Sequence, residues 1–546
     1  MNTKRMSVNP RIIEHLGSDL ITSSSVAIVE LIKNSIDAKS KKVHVQLFDY
    51  VDKIIDNNQL LIKLDQNVME LIKANAENAK ILLVEDIGIG MNDNQLENGF
   101  LNIGTDIKFN NHDDNEAFLG EKGIGRLATQ RLGKKLILET ASKACDRSKA
   151  VIIDWKNLIE SERIDNIELP YYEFDKVGES YTRLWIIGIE KNEIINEPEQ
   201  IELFNETNVS LNDELQAATC YLVSPFKNSK NEVEISFYNN GIKINTDFDT
   251  ELLDFAESKN YFEVIKEDEK IVINLKLELT PMFIEKTHRY CIKPVTYFPK
   301  YRKSKDDYIS LFKKYRQRYN TTLNLHVSYE EIVNKLKEKR KKVYSDVKDQ
   351  KELDIYLKQQ VKNDLNELRG ILPITGCAYN FKQDNAIGKM YVDFIKYLKE
   401  NTNGRINDYS VSDIQNFLNQ YSGIKLYRNS YRIGALGNRD DDWLEMQQYR
   451  TSGQQFYRIN QSNTVGYVSI NDPLQVNIRE ISSRLDIVQN NASKIFKEVI
   501  IYIFNYYFYD FNRSADDITK SILQDEGLLQ DDIKKEVKIG KKRVIN

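Results

Sequence analysis

Residues 30–38 read Glu-Leu-Ile-Lys-Asn-Ser-Ile-Asp-Ala, and their polar and apolar positions separate at helical spacing. On a helix, Glu30, Asn34 and Asp37 fall on one narrow face. The apolar side chains that cover the opposite side are Ile28, Val29, Leu31, Ile32 and Ile36. The stretch therefore predicts a helix that packs against a core and presents two carboxylates and an amide in a line. Taken alone, such a face is also typical of an ordinary solvated helix.

The composition is that of a globular protein, with 41% apolar and 29% charged residues in 546 positions. This length suits two to four domains. The net charge is −5, from 77 Lys and Arg against 82 Asp and Glu. The chain therefore lacks the overall positive charge that would indicate binding to nucleic acid or to a membrane.

The four cysteines and five histidines are scattered along the sequence, and no two cysteines form a C-x-x-C pair. We therefore expect neither a disulfide framework nor a structural zinc site. The most apolar run, at 499–509, is too short to span a bilayer, and no apolar signal segment opens the sequence. We expect a cytoplasmic protein that does not bind a membrane.

The first of two glycine loops reads Asp86-Ile-Gly-Ile-Gly-Met91 and directly follows a predicted strand at 81–85. An Asp at a strand end, before two glycines, suits a buried acceptor beside a turn where the main chain approaches a flat ligand. A plain strand-to-loop turn is the alternative. Another strand is predicted at 42–48, and a charged segment at about 50–78 joins the two strands.

The second glycine loop contains Gly120, Gly123 and Gly125 and opens an apolar helix. Backbone N–H groups and the N-terminus of that helix would face an anion, so the loop predicts a phosphate site. Its spacing differs from the nicotinamide-binding fingerprint, and no Gly-Lys-Ser/Thr follows as in a Walker loop. Further strands are predicted at 135–139, 150–155 and 181–187. Together these elements predict an α+β layout with helices on one face of a sheet.

Four ordered motifs resemble those of the GHKL ATPases, the superfamily that includes gyrase, the ninety-kilodalton heat-shock chaperones, histidine kinases, mismatch-repair MutL and the MORC proteins. The motifs lie at 30–37, 86–91 and 120–125 and at Thr182. The resemblance covers roughly residues 8–195. It implies a Bergerat-type ATPase sandwich, which is a mixed sheet covered by helices on one face. An α+β transducer domain with a helical insertion and a helical C-terminal tail would follow.

Carried over residue by residue, the resemblance implies roles for the first helix and for two strand ends. Glu30 resembles the general base that deprotonates the attacking water, and Asn34 resembles the ligand of a Mg²⁺ ion that bridges the phosphates. Asp37 resembles the acidic residue that supports the nucleotide face. Asp86 resembles the carboxylate that accepts from the adenine amino group, with Thr182 as its partner. Histidine kinases lack a catalytic Glu at this position, so Glu30 favours hydrolysis over phosphotransfer to protein.

The loops complete the implied nucleotide site. Gly88 and Gly90 belong to the motif beside the base, and Met91 resembles a hydrophobic wall for it. The implied ATP lid and phosphate loop comprise Asn102, Gly104, Lys108, Gly120, Gly123 and Gly125. ATP and Mg²⁺ are therefore the expected cofactors, and the expected activity is Mg²⁺-dependent hydrolysis of ATP to ADP and phosphate.

A later stretch reads Asn477-Ile-Arg-Glu480. It resembles an Asn-x-x-Arg-Glu turn of the chaperones' middle domain, with one residue fewer, whose Arg reaches the γ-phosphate. Arg479 is therefore the expected catalytic sensor, because an Arg from a second domain stabilises charge in the phosphoryl transition state. A surface cation that caps a helix is the alternative. The runners-up for the sensor role are Arg428, Arg432, Arg450 and Lys293.

The expected regions are an ATPase domain (1–195), a transducer domain in two parts (196–326 and 421–484), a helical arm or insertion (327–420) and a helical C-terminal region (485–546). Residues 329–369 have the pattern of an exposed helical arm or hairpin. A basic-aromatic run at 298–319 and the basic residues 335–342 could contact nucleic acid, with a solvated helix face as the alternative. The aromatic end of the helix that precedes residue 510 would pack on the transducer or on a second subunit.

The expected function is an ATP-driven conformational switch, in which lid closure and docking of Arg479 bring two protomers together as a homodimer. The pattern is similar to that of stand-alone prokaryotic chaperone-like and MORC-like ATPases. One candidate role is DNA processing or antiviral defence, with DNA or a nuclease or other effector as partner. Another is chaperone-like remodelling of protein clients. A third is an ATP-binding module without hydrolysis, and intact Glu30 argues against it.

Overall fold

The structure is a computed structural model of the 546-residue chain. It describes residues 9–13, 24–55, 59–102, 127–161, 167–189, 222, 224–226, 233–244, 248–280, 322–344, 349–381, 409–428, 431–434, 436–437, 439, 441–446, 459–472, 477–481 and 486–512. Two compact units make up the chain. The first contains Met1–Phe248 and Glu480–Arg484, and the second contains Asp249–Arg479 and Leu485–Asn546. Within the described ranges, no helix has both the length and the apolar composition that crossing a membrane requires.

An eight-stranded mixed sheet forms the first unit. Its strands are β1 (Lys42–Phe48), β2 (Ile81–Asp86), β3 (Lys135–Ala141), β4 (Arg147–Asp154), β5 (Tyr171–Asp175), β6 (Tyr181–Ile187), β7 (Glu234–Asn239) and β8 (Ile242–Ile244). Their order across the sheet is β5-β4-β3-β6-β2-β1-β7-β8, and neighbours are antiparallel except for β1 and β7. The helices described in this unit are α1 (Ser24–Asp37), α2 (Asp52–Ile55), α3 (Gln66–Ala76), α4 (Ala128–Leu132) and α5 (Trp155–Glu160).

Side chains that alternate along the strands divide the core of this sheet between two faces. On the face that we call the front, Ile28 and Leu31 of α1 share one core with Leu132 of α4, Val84 of β2 and Leu138 of β3. These helices bury apolar stripes against the sheet, as their sequence periodicity requires. The structure therefore confirms the predicted mixed α+β fold with helices packed on a sheet.

The opposite face, which we call the reverse face, carries a second core that the sequence analysis did not predict. Val68 and Ile72 of α3 lie there in one core with Trp185 of β6. α3 comes from the charged segment at about 50–78, which was expected only to join two strands. The sequence of β2 does indicate this second core, because it reads Ile-Leu-Leu-Val at 81–84 and such continuously apolar strands are covered on both faces.

Two strands from further along the chain extend the first sheet. β7 pairs in parallel with β1, from Glu234 opposite Lys42 to Asn239 opposite Leu47, and β8 pairs with β7. The sequence analysis placed this strand pattern after residue 195, in the transducer domain, whereas the first compact unit continues to Phe248. A local pattern identifies a strand but not the sheet that it joins, because that pairing is a long-range contact.

A seven-stranded mixed sheet forms the second unit. Its strands are β9 (Ser258–Glu267), β10 (Lys270–Leu279), β11 (Thr322–Val327), β12 (Ile374–Asn380), β13 (Gly423–Arg428), β14 (Tyr431–Arg432) and β15 (Thr464–Ile470). Their order is β11-β10-β9-β12-β15-β13-β14, with β13 and β15 parallel and the other pairs antiparallel. The helices described here are α6 (Tyr329–Lys341), α7 (Gln350–Asn366), α8 (Val411–Tyr421) and α9 (Asn491–Tyr502).

α6 and α7 form a helical hairpin with a buried apolar side. The buried residues are Ile332, Val333, Leu336, Leu357, Val361 and Leu365. Basic side chains of α6 have acidic partners within the unit: Lys337 Nζ lies 2.9 Å from Asp354, and Arg340 lies 2.7 Å from both Asp364 and Glu498. Much of the basic stretch at 335–342 is therefore engaged in ion pairs rather than presented as a patch of uncompensated positive charge.

The aromatic end of the last described helix packs within the second unit. α9 continues as a π-helical turn at Ile503–Phe508. The ring centroids of Phe504 and Phe508 each lie 6.1 Å from that of Phe262 on β9. Of the two expected partners for this aromatic segment, the sheet of the same chain is therefore the one observed.

Candidate functional site

α1 presents the three predicted polar residues, and their environments differ. Glu30 is buried, with 4% of its surface exposed, whereas Asn34 and Asp37 are half-buried. The Lys33 ammonium lies 3.4 Å from Glu30 Oε1, so the buried carboxylate has a cation beside it. Lys33 Nζ also lies 3.6 Å from Oε1 of Glu480, which belongs to the same compact unit. The alternative of a solvated helix face therefore does not describe Glu30.

Asp86 stands at the end of β2, directly opposite Thr182 of β6. The Thr182 and Thr140 hydroxyl oxygens lie 3.2 Å apart on neighbouring strands. The backbone N–H of Gly88 donates to Asp86 Oδ1 at 2.9 Å, and Ser35 of α1, whose hydroxyl donates to the Leu31 carbonyl at 3.3 Å, also lies near this carboxyl group. Burial raises the pKa of Asp86 to about 7, although Gly88 and Ser35 act to lower it. A buried carboxyl group with such a displaced pKa is typical of functional sites.

Two residues of this site, Thr140 and Ser35, were missed by the sequence analysis. Thr140 Oγ1 donates to the Tyr181 carbonyl at 2.9 Å and accepts from the Met91 N–H at 3.0 Å, so it ties the glycine loop to β3 and β6. No motif signals Thr140. Ser35 did carry a signal, because it lies on the apolar side of α1 with Leu31, where a buried hydroxyl needs a partner.

Gly88 and Gly90 are required because the chain's own backbone passes close to them. A Cβ atom on Gly88 would collide with the carbonyl oxygen of Ala38, to which Ile89 N–H donates at 2.9 Å. Gly90 has a φ of +63°, and its Cβ would collide with the Ala141 carbonyl. The expected reason was close approach to a flat ligand. The observed reason is that the loop packs between the end of α1 and β3, which brings the first two motifs together.

The other predicted residues are dispersed. Asn102 is exposed, shortly after a π-helical turn at Gln95–Phe100. Arg432, a runner-up for the sensor, donates to the Leu436 carbonyl at 3.3 Å within the second unit. The predicted residues that lie outside the described ranges are Gly104, Lys108, Gly120, Gly123, Gly125, Lys293 and Arg450.

Arg479 is exposed and belongs to the second unit. The carboxylate of Asp472 holds the preceding turn, accepting from the backbone N–H groups of Asn477 at 3.2 Å and Ile478 at 2.9 Å. Arg428 is buried and donates to the Ile478 carbonyl. Arg428, a runner-up for the sensor, therefore supports the turn that contains Arg479.

The donor set on α1 fits a Mg²⁺ ion that binds together with phosphates. Among the described residues, no group of three or more His, Cys, Asp or Glu side chains is arranged to hold a metal ion. Asn34 offers one amide oxygen, four residues along α1 from Glu30. Mg²⁺ takes few protein ligands and completes its shell with phosphate and water oxygens, so one amide oxygen is an appropriate contribution.

Comparison with known proteins identifies the domain that carries this site. Residues 21–182 match the family model described as histidine kinase-, DNA gyrase B- and HSP90-like ATPase. The chain matches none of the curated protein sequences. The matched segment begins just before α1 and ends at Thr182, so it contains α1, the glycine loop and the Asp86–Thr182 pair. Residues 21–182 therefore form a domain of the GHKL ATPase type.

Proposed function

We propose that this chain is a Mg²⁺-dependent ATPase in which Asp86 and Thr182 recognise the adenine base. The observation that carries the proposal is the Asp86 carboxyl group, which is buried beside Thr182 and has a pKa of about 7, raised by burial. An adenine amino group would donate an N–H to this carboxylate and favour its charged form. Thr182 would hold a water molecule against the same edge of the base, and Met91 would line it.

Glu30 is the proposed general base. Its carboxylate would accept a proton from the attacking water as the water oxygen bonds to the γ-phosphorus. The bond from that phosphorus to the β,γ-bridging oxygen would break, with ADP as the leaving group. The burial of Glu30 supports this role, because it limits access of bulk water to the reacting carboxylate. Lys33, 3.4 Å away, would orient the carboxylate before the water binds.

The remaining predicted residues complete the proposed site. Asn34 would contribute to holding Mg²⁺, which neutralises charge on the phosphates when it is bound. Asp37 would support the nucleotide face of α1. Arg479 would bind the γ-phosphate, on a turn that Asp472 and Arg428 already hold. The lid and phosphate-loop residues would be Asn102, Gly104, Lys108, Gly120, Gly123 and Gly125.

The proposed output is ATP-dependent closure and homodimerisation, with hydrolysis releasing the closed state. In a DNA-processing or antiviral role, α6 would contribute little positive charge for DNA contact, because Lys337 and Arg340 already form ion pairs with acidic partners. The basic-aromatic run at 298–319, outside the described residues, is then the candidate for contact with DNA. A chaperone-like role would instead require retention of a protein client that depends on ATP and is indifferent to DNA.

Replacing Asp86 tests adenine recognition. Asp86→Asn should weaken ATP binding by about tenfold or more, since a hydrogen bond to a charged acceptor contributes roughly 1.5–3 kcal/mol. Calorimetry should show little change for purine riboside triphosphate, which lacks the 6-amino group. Asp175→Asn, at an exposed position on β5, removes the same charge and should change neither affinity. Unchanged ATP affinity in Asp86→Asn would contradict the assignment of the base site.

A further inference from the structure

Two rows of three side chains lie back to back on β3, β6 and β2. Residues that face each other across these strands point to the same face of the sheet, and successive residues alternate. The front row is Thr140, Thr182 and Asp86. The reverse row is Glu139, Arg183 and Glu85. Each member of the front row therefore has a covalent neighbour in the reverse row.

The reverse row is a fully buried ion-pair network. Arg183 Nε lies 2.8 Å from Glu85 Oε1, and Arg183 Nη1 lies 3.2 Å from Glu139 Oε1. Glu139 also accepts from the Tyr181 hydroxyl at 2.8 Å and from the Trp185 indole N–H at 3.2 Å. One guanidinium thus joins a carboxylate on each neighbouring strand, which fixes the register of all three strands.

Residues 59–62, which we call the reverse-face segment, bind this network through their backbone. Leu61 N–H donates to Glu85 Oε2 at 2.7 Å, and Ile62 N–H donates to Glu85 Oε1 at 3.2 Å. Arg183 donates in turn to the Ile62 carbonyl. The Gln59 carbonyl is held from β1, where Gln46 Nε2 donates to it at 3.0 Å. Displacing the segment would leave buried charges without these partners.

Burying one cation and two carboxylates carries a large desolvation cost, and it is tolerated only while each group keeps its hydrogen bonds. The backbone donors at Leu61 and Ile62 are therefore part of what holds Glu85 in place. Glu85 and Asp86 are consecutive residues, and so are Arg183 and Thr182. A shift of the reverse row must move the front row, since the two rows share the same strand backbone.

We infer that the reverse-face segment positions Asp86 and Thr182 for adenine recognition, acting through Glu85 and Arg183 from the opposite side of the sheet. The inference rests on the proposed role of Asp86 and Thr182 in binding the base. Arg183 and Glu85 are positioning residues, because neither lies on the face that would hold the nucleotide. A partner that displaces residues 59–62 would weaken nucleotide binding without occupying the nucleotide site, and nucleotide binding would weaken that partner equally.

The Leu61 N–H provides the test, because proline at this position removes the donor to Glu85. Leu61→Ala is the matched control, since it shortens the side chain and keeps the N–H. Calorimetry on the full chain would measure the affinities for ATP and for purine riboside triphosphate. We expect Leu61→Pro to weaken the binding of ATP about tenfold and to weaken the binding of the analogue less than about twofold. Leu61→Ala should change either affinity by less than about twofold.

Tyr181→Phe is a milder second variant, in case Leu61→Pro does not fold. It removes the hydroxyl that donates to Glu139 and keeps the ring in the core, and it should lower the ATP affinity in the same selective way. An equal loss of affinity for ATP and for the analogue would overturn the inference. Unchanged ATP affinity in both variants would also overturn it. Wild-type protein that binds neither nucleotide would instead contradict the proposed function.

Discussion

At the residue scale, Asp86 is a side chain whose burial is unfavourable for folding and whose proposed role is to bind the adenine base. The carboxyl group is buried at the end of β2, where desolvation disfavours its charged form and raises its pKa to about 7. Near neutral pH, the free protein therefore holds a carboxyl group poised between its two protonation states. A bound N–H donor favours the carboxylate, so ligand binding and ionisation of Asp86 reinforce each other.

Asp86→Asn should stabilise the ligand-free protein at alkaline pH. In the unfolded chain the pKa of Asp86 is near 3.8, so between that pH and about 7 the folded state retains a proton that the unfolded state has lost. The wild type therefore loses stability as the pH rises through this window, by up to about 4 kcal/mol for this group. The variant has no carboxyl group at this position, so its stability does not fall in this window. Its free energy of unfolding, measured by urea denaturation, should exceed that of the wild type most at pH 8 and equal it near pH 4. A difference independent of pH would contradict the assigned cause.

At the scale of elements, the parts predicted best are those whose pattern is local. The polar face of residues 30–38 predicted a helix, and α1 spans Ser24–Asp37. The strand predicted at 42–48 is β1, and the strand predicted at 81–85 is β2 with Asp86 added. α1 and β1 follow from side-chain periodicity and β2 follows from a short apolar run, and neighbouring residues determine both signals. The reverse-face core was missed because α3 buries Val68 and Ile72 against strands that are distant in sequence.

Ile72→Ala tests the contribution of α3. Ile72 is fully buried in the reverse-face core, so the substitution should cost about 2–5 kcal/mol through lost burial and the cavity left behind. Hydrogen exchange in the whole chain should accelerate in peptides that cover β6. Ile55→Ala is the matched control, because Ile55 on α2 is 59% exposed and its truncation should cost less than about 0.5 kcal/mol. Equal effects of the two substitutions would contradict the assigned packing.

At the scale of the whole molecule, the sequence motifs identify candidate site residues, and the structure adds the residues that support them. Residues 30–37 and 86–91 stand out in the amino-acid sequence, because their residue types and spacing suit phosphate and adenine chemistry. Thr140 and Arg183 do not, since their importance arises only when β3, β6 and β2 lie side by side. Arg428 was considered as a sensor, and its buried bond to the Ile478 carbonyl shows a supporting role that spacing alone could not reveal.

The central claim, that the chain hydrolyses ATP with Glu30 as the base, is tested most directly by the rate of phosphate release at saturating ATP and Mg²⁺. Wild type should release phosphate, and Glu30→Gln should be slower by about 100-fold or more while its ATP affinity stays within about twofold. Glu70→Gln, which alters an exposed ion pair with Lys73 on α3, should match the wild type. Release by Glu30→Gln at the wild-type rate, or no release by the wild type, would contradict the account.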